Sequence, residues 1–101
     1  MTKKLSVLAH VYAKAEALEK VKRECLALVA PSRAEEGCLN YDLHQSIEDE
    51  TLFVFYENWE SREALEKHLE MPHSLRFDER TGGMLAQETA ITFWEMISSG
   101  D

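Results

Sequence analysis

A chain of 101 residues, 45% hydrophobic and 30% charged, has the size and composition of one soluble globular domain. Lys and Arg number 11 against 19 Asp and Glu, and the net charge of −8 argues against nucleic acid or an anionic membrane as the main partner. There is no apolar run of the about 18 residues that a membrane-spanning helix needs, and Lys3-Lys4 leads into alternation rather than a signal-peptide apolar block.

Leu5 to Ala13 alternates with the period of a strand. Leu5, Val7, Ala9, Val11 and Ala13 share one face; Ser6, Leu8, His10 and Tyr12 share the other. From about Glu16 to Ala34 the period lengthens. Leu18, Val21, Cys25, Leu28, Val29 and Ser32 recur at helical steps, which predicts an amphipathic helix. Pro31 is placed to kink that helix or begin its exit, and Gly37 suits the turn that follows. Cys25 and Cys38 form no metal or CxxC spacing and read as reduced thiols of a cytoplasmic protein, although spacing alone leaves a bridge between them open.

Cys38 to Ser46 predicts a second strand, with Leu39, Tyr41 and Leu43 on one face and Asn40, Asp42 and His44 on the other. Glu48-Asp49-Glu50 is a polar turn, and Thr51 to Trp59 is the third strand of a hairpin. Both faces of that strand are apolar, which predicts helices on one side and a second subunit on the other. Ser61 caps a helix whose inner stripe holds Ala64, Leu65, His68 and Leu69. Pro72 ends it and delivers His73; residues to Arg80 add a helical turn or two, with Leu75 or Phe77 inward, before Gly82-Gly83. Thr89 to Ile97 is a fourth strand, and Ser98 to Asp101 a polar tail. The order βαββαβ predicts a single α+β domain over residues 1–101, core about 5–97. Its architecture is the ferredoxin-like split βαβ with a four-stranded antiparallel sheet.

Three stretches taken together resemble the antibiotic biosynthesis monooxygenase domain family, in its quinol-monooxygenase-like branch. They are Glu35-Glu36-Gly37-Cys38 with Tyr41, then Trp59-Glu60-Ser61, then Leu65-Glu66-Lys67-His68-Leu69 closing on Pro72-His73. The resemblance runs from about Leu5 to Ile97. It implies a homodimeric α+β barrel in which two sheets pack face to face, and a pocket in each subunit between sheet and helices. Members of the family oxygenate quinols and anthrones without metal, flavin or haem; others degrade haem or isomerise small sugar-phosphate-like signals. The haem-degrading branch carries Asn and Trp where this chain has His10 and His68. The anthrone-oxidising branch carries Asn and Tyr where this chain has Phe55 and Leu65.

His73, His68 and His10 are the candidate catalytic residues, because an ordinary imidazole titrates near neutrality and so suits proton transfer from a phenol. Whether His10 joins the other two depends on which face of its strand meets the helices. Tyr41, Phe55, Trp59, Leu65 and Phe77 are the candidate substrate-binding residues, each also a plausible core residue. The resemblance implies no cofactor, and no metal is expected, since no carboxylate stands at a recognisable ligand spacing from the histidines. The expected function is oxidation of a quinol-like or polycyclic phenol by dioxygen. The alternatives are a small-ketone isomerase using the same histidines, for which Arg76 and Arg80 are the available phosphate-binding cations, and a dimeric module that binds a hydrophobic metabolite.

Overall fold

The computed structural model describes residues 4–98; Lys3 and the last three residues of the polar tail lie outside the described residues. Strand β1 is Leu5–Tyr12, and a single 3-10 turn at Ala15–Ala17 leads into helix α1, Leu18–Arg33. Strands β2, Cys38–Gln45, and β3, Leu52–Trp59, form the hairpin. Helices α2, Arg62–Leu69, and α3, Pro72–Arg80, follow, and β4 is Ala90–Trp94. The sheet order is β2-β3-β1-β4, with every neighbouring pair antiparallel. This is the predicted ferredoxin-like α+β arrangement.

The helices cover one face of the sheet. Val7, Ala9 and Val11 of β1 meet Val21, Cys25 and Leu28 of α1 in the core, with Phe53, Phe55 and Trp59 from β3. The stripe read for α1 is the stripe buried, and Ser32 completes it. Pro31 lies inside the helix, which continues to Arg33. Ser61 caps α2 as expected, its hydroxyl accepting the Ala64 N–H at 3.2 Å. Pro72 takes the first turn of α3, where its missing N–H costs nothing. Phe77 is the buried residue of that helix, while Leu75 is exposed.

Two strand readings need correction. Leu39 does not share the face of Tyr41. A bulge between Cys38 and Asn40 pairs Cys38 with Trp59 and Asn40 with Asn58, so Leu39 is the extra residue and stands 47% exposed. The fourth strand stops at Trp94 rather than Ile97, because Trp94 already pairs with Ser6 and β1 begins at Leu5. Ile97 has no strand left to join and is 93% exposed.

The second sheet face carries Leu8, His10 and Tyr12 beside Val54, Tyr56, Thr92 and Trp94. Tyr56, Trp94 and the nearby Met96 are exposed. A polar row crosses this face: Ser6 Oγ donates to Asn58 Oδ1 at 2.5 Å, and Asn58 Nδ2 donates to Asn40 Oδ1 at 2.8 Å.

Gly37 fixes how α1 hands over to β2. Its φ is +89°, and a Cβ there would stand 2.7 Å from Ala64 Cβ of α2. Its carbonyl accepts the Glu60 N–H at 2.8 Å, tying the turn to the start of α2. Gly37→Ala is expected to lose about 1–3 kcal/mol, from left-handed backbone strain together with the Ala64 clash. Urea denaturation followed by circular dichroism measures this, and an unchanged midpoint would show that the turn relaxes freely.

Candidate functional site

Glu35 sits just past the C-terminal end of α1. Its N–H bonds back to the Ser32 carbonyl at 3.1 Å, and its carbonyl accepts the Cys38 N–H at 3.2 Å. That turn aims the carboxylate under α2 and α3, where it is buried. One oxygen, Oε2, lies 2.6 Å from His68 Nδ1 and 2.6 Å from His73 Nε2. An ionised carboxylate only accepts, so both nitrogens are assigned as N–H donors. His68 therefore presents Nε2 as its unprotonated nitrogen, and His73 presents Nδ1 as its own.

The Pro72 break makes this convergence possible. It starts α3 in a new direction, so that His73 reaches the carboxylate already held by His68. The junction is fixed at the His68 carbonyl, which accepts the Met71 N–H at 3.1 Å and the Ser74 hydroxyl at 2.6 Å.

His68 is buried between aromatic rings, with ring centroids 4.8 Å from Trp59 and 5.3 Å from Tyr41. Burial lowers its pKa from the ordinary 6.5, against the upward pull of Glu35. The ring is thus neutral at pH 7, with a lone pair available.

Beside it is a cavity of about 150 Å³ between the sheet and the helices. Its floor is Val7, Ala9 and Val11 of β1 with Tyr41, Phe55 and Glu57. Leu65, His68 and Leu69 of α2 and Ser74, Phe77 and Asp78 of α3 form the walls, and Leu28, Thr89 and Ile91 complete them. Asp78 and Thr89 also border a surface groove near Gly82 and Gly83.

Of the residues predicted to bind substrate, Tyr41, Phe55, Leu65 and Phe77 line this cavity. Trp59 does not. It is fully buried behind His68 and donates its indole N–H to Glu57 Oε1 at 2.9 Å. Of the predicted catalytic residues, His68 lines the cavity and His73 stands behind it, joined through Glu35. His10 is placed elsewhere. It pairs with Val54 and Ala90 on the second sheet face and lies beside the Tyr12 ring, 6.4 Å between centroids. Period-two geometry sends it away from Ala9 and Val11, so His10 lies on the face that does not meet the helices and does not join His68 and His73.

Glu35 and Glu57 are the site carboxylates nearest His68 and Trp59 that the sequence-based selection did not include. Burial pushes the Glu57 carboxyl up to about 7, with the Trp59 bond pulling the other way and Glu35 adding to the rise. Burial likewise raises the Asp78 carboxyl and the Tyr41 phenol. Ser32 Oγ, close by Tyr41, is buried without a hydrogen-bond partner of good geometry. The thiols are free, and burial pushes Cys25 up to about 12 and Cys38 up to about 11, so neither is a nucleophile at neutral pH.

Glu35, His68 and His73 also form a carboxylate–imidazole donor set, their ligand atoms all within 4.8 Å of one another. The carboxylate that spacing did not reveal is Glu35. The 2.6 Å separations are those of hydrogen bonds. A divalent ion at about 2.0–2.2 Å from each ligand would require the atoms to move apart.

The fold and the site define an α+β ferredoxin-like protein with an imidazole–carboxylate cavity. Residues 5–80 match the antibiotic biosynthesis monooxygenase family, and the chain belongs to that family. Rv0793 of Mycobacterium tuberculosis is 34% identical over 92 residues, covering 91% of this chain and 90% of that protein. The solved structure of Rv0793 superposes with a TM-score of 0.90 over 98% of this chain and 100% of that one. PA3566 from Pseudomonas aeruginosa gives a TM-score of 0.91 at 41% identity, over 97% and 98% of the two chains. A solved antibiotic biosynthesis monooxygenase gives 0.88 at 31% identity, over 93% and 99%. No helix among the described residues is long and apolar enough to cross a membrane.

Glu57 leads to a pH-dependent stability. Its folded pKa of about 7 lies above the ordinary 4.5. The folded state therefore holds a proton that the unfolded state releases, and this contribution to stability is lost as pH rises from about 4.5 through 7. Glu57→Gln removes the cost of ionising the group while keeping an acceptor for Trp59. Its melting temperature relative to the parent is expected to be higher at pH 8 than at pH 5. An equal difference at both pH values would place Glu57 in a more polar setting than the structure describes.

Proposed function

We propose that this protein is a cofactor-independent monooxygenase that oxidises a quinol-like or related phenolic substrate with dioxygen. The observation that carries the reading is the pairing of Glu35 with His68 at the wall of a largely apolar cavity. It leaves an unprotonated imidazole nitrogen beside a space large enough for an aromatic ring. Family membership supports the same reading, as does the position of the aromatic Tyr41, Phe55 and Phe77 around that space.

His68 Nε2 takes the phenolic proton while Glu35 stabilises the imidazolium that forms. The phenolate passes one electron to dioxygen, giving a substrate radical and superoxide. These combine at a ring carbon bearing hydrogen, forming a C–O bond, and the peroxide takes the proton back from His68. Loss of water then breaks the O–O bond and leaves a carbonyl. One oxygen atom ends in the product and the other in water. The walls from sheet and helices hold the ring in place and keep most of its surface from bulk water.

The second sheet face, apolar and exposed around Tyr56 and Trp94, is assigned to a homodimer in which two sheets meet. We take residues 1–101 as one domain and the cytoplasm as its compartment. The isomerase reading has one specific support, the presence of Glu57 and His68 in the same cavity as a proton donor and acceptor. Arg76 and Arg80 do not line that cavity, so it offers a phosphorylated substrate no cation.

The test is dioxygen consumption by metal-free protein with a panel of quinols and anthrones, against autoxidation without protein. His68→Ala is expected to lower the enzymic rate by about 10²-fold or more, and His73→Ala by less, since His73 acts through Glu35. The rate should fall on acidification with a midpoint below 6.5, as His68 becomes protonated. Glu35→Gln, which removes the charge that raises the His68 pKa, should move that midpoint to lower pH. Uptake no faster than autoxidation across the panel would end the oxygenase reading.

A further inference from the structure

Glu57 is not used by the mechanism above, yet it is the polar residue of the cavity floor. It lies on β3 opposite Val7 of β1 and Tyr41 of β2. His68 and Leu65 face the same space from α2, and Asp78 and Phe77 from α3. Trp59 Nε1–H occupies Glu57 Oε1, which leaves Oε2 as the oxygen without an assigned bond. The two carboxyls, Glu57 and Asp78, are not balanced by any lysine or arginine in the lining.

Size and polarity constrain the occupant together. An apolar cavity of about 150 Å³ is known to hold benzene, one six-membered ring. The space here has that volume, about 150 Å³, and so accepts an aromatic ring. A ring seated in it has a proton acceptor at one wall, His68 Nε2, and a carboxyl at the floor, Glu57.

We propose that Glu57 is a specificity-determining residue that selects neutral dihydroxy aromatics for this cavity and turns away anionic ligands. One hydroxyl is placed at His68 and the other at Glu57. The proposal rests on the reading of the cavity as a phenol site, and narrows that reading by excluding the anionic members of the class. The rise of the Glu57 carboxyl to about 7 gives the discrimination a pH dependence: an anion is opposed most once the group has ionised. The other titratable groups that bear on it are Tyr41 from β2, His68 from α2, Asp78 from α3 and Glu35 from the turn after α1. Tyr41 stays uncharged in this range because burial pushes its phenol up, and burial lowers the His68 imidazole toward its neutral form.

The experiment is ligand-observed NMR under nitrogen, so that binding is read without turnover. The probes are hydroquinone and hydroquinone sulfonate, and the proteins are the parent and Glu57→Gln, each checked for folding by its melting curve. Hydroquinone is expected to bind the parent at both pH 6 and pH 8. At pH 8 the sulfonate should bind Glu57→Gln at least tenfold more tightly than the parent; at pH 6 that difference should shrink to threefold or less. A purely structural Glu57 would not produce that pH-dependent gap. Equal sulfonate binding by the two proteins at pH 8, or no hydroquinone binding by the parent, would each overturn the proposal. Hydroquinone binding with this pattern but without dioxygen uptake would sustain the proposal and end the oxygenase reading instead.

Discussion

The site depends on one carboxylate oxygen that accepts from two imidazoles. Burying Glu35 alone would leave an uncompensated charge in a poorly polarisable interior, at a cost of several kcal/mol. Two N–H donors at 2.6 Å offset that cost and in return fix the tautomer and orientation of both rings. The consequence reaches the cavity: His68 is left with its bare nitrogen available, and His73 braces the carboxylate from behind. Removing Glu35 leaves two N–H groups without their acceptor, and removing either histidine leaves the buried carboxylate with one donor fewer. The cluster is therefore a unit rather than three separable residues.

Three local devices bring that unit together, and each is a simple piece of chain chemistry. Gly37 permits the left-handed turn after α1 and the close approach of α2 at Ala64. Ser61 starts α2 by capping it, which sets the angular position of Leu65 and His68. Pro72 starts α3 without a donor to satisfy and turns His73 toward Glu35. These devices lie in different segments, yet they act on a region only a few side chains across. The sheet supplies the other half of the site through the inward positions of β1, β2 and β3.

Most of the fold was legible in the sequence because its hydrophobic period changes cleanly between two and about three and a half. The order of elements, the buried stripe of α1 and the stop at Pro72 all follow from that pattern. Leu39 was misplaced because a bulge adds one residue to one strand, and alternation carries no mark of it. The site was legible in part. His68 fell on an apolar stripe and His73 beside a helix break, but the face of His10 depends on which side the helices pack. Glu35 escaped because it lies beyond the last helical turn, where periodicity no longer says which way a side chain points. Glu57 was more accessible. It stands between Phe55 and Trp59 at inward positions of β3, and an acid there is either paired or functional.

The hairpin strand β3 has a further consequence for how such a sequence can change over time. Its inward residues, Phe53, Phe55, Glu57 and Trp59, and its outward ones, Val54, Tyr56 and Asn58, serve two different surfaces at once. One inserted or deleted residue would exchange the two sets. Tyr56 and Asn58 would turn toward the helices, while the cavity floor and the indole behind His68 would turn outward. Point substitutions can therefore accumulate along β3, but length changes cannot. The Glu48–Glu50 turn and the stretch between α3 and β4 lie outside the strands, so a residue gained or lost there leaves the two faces of β3 in place. The reading frame of this strand is in effect a conserved quantity of the architecture, independent of which individual residues occupy it.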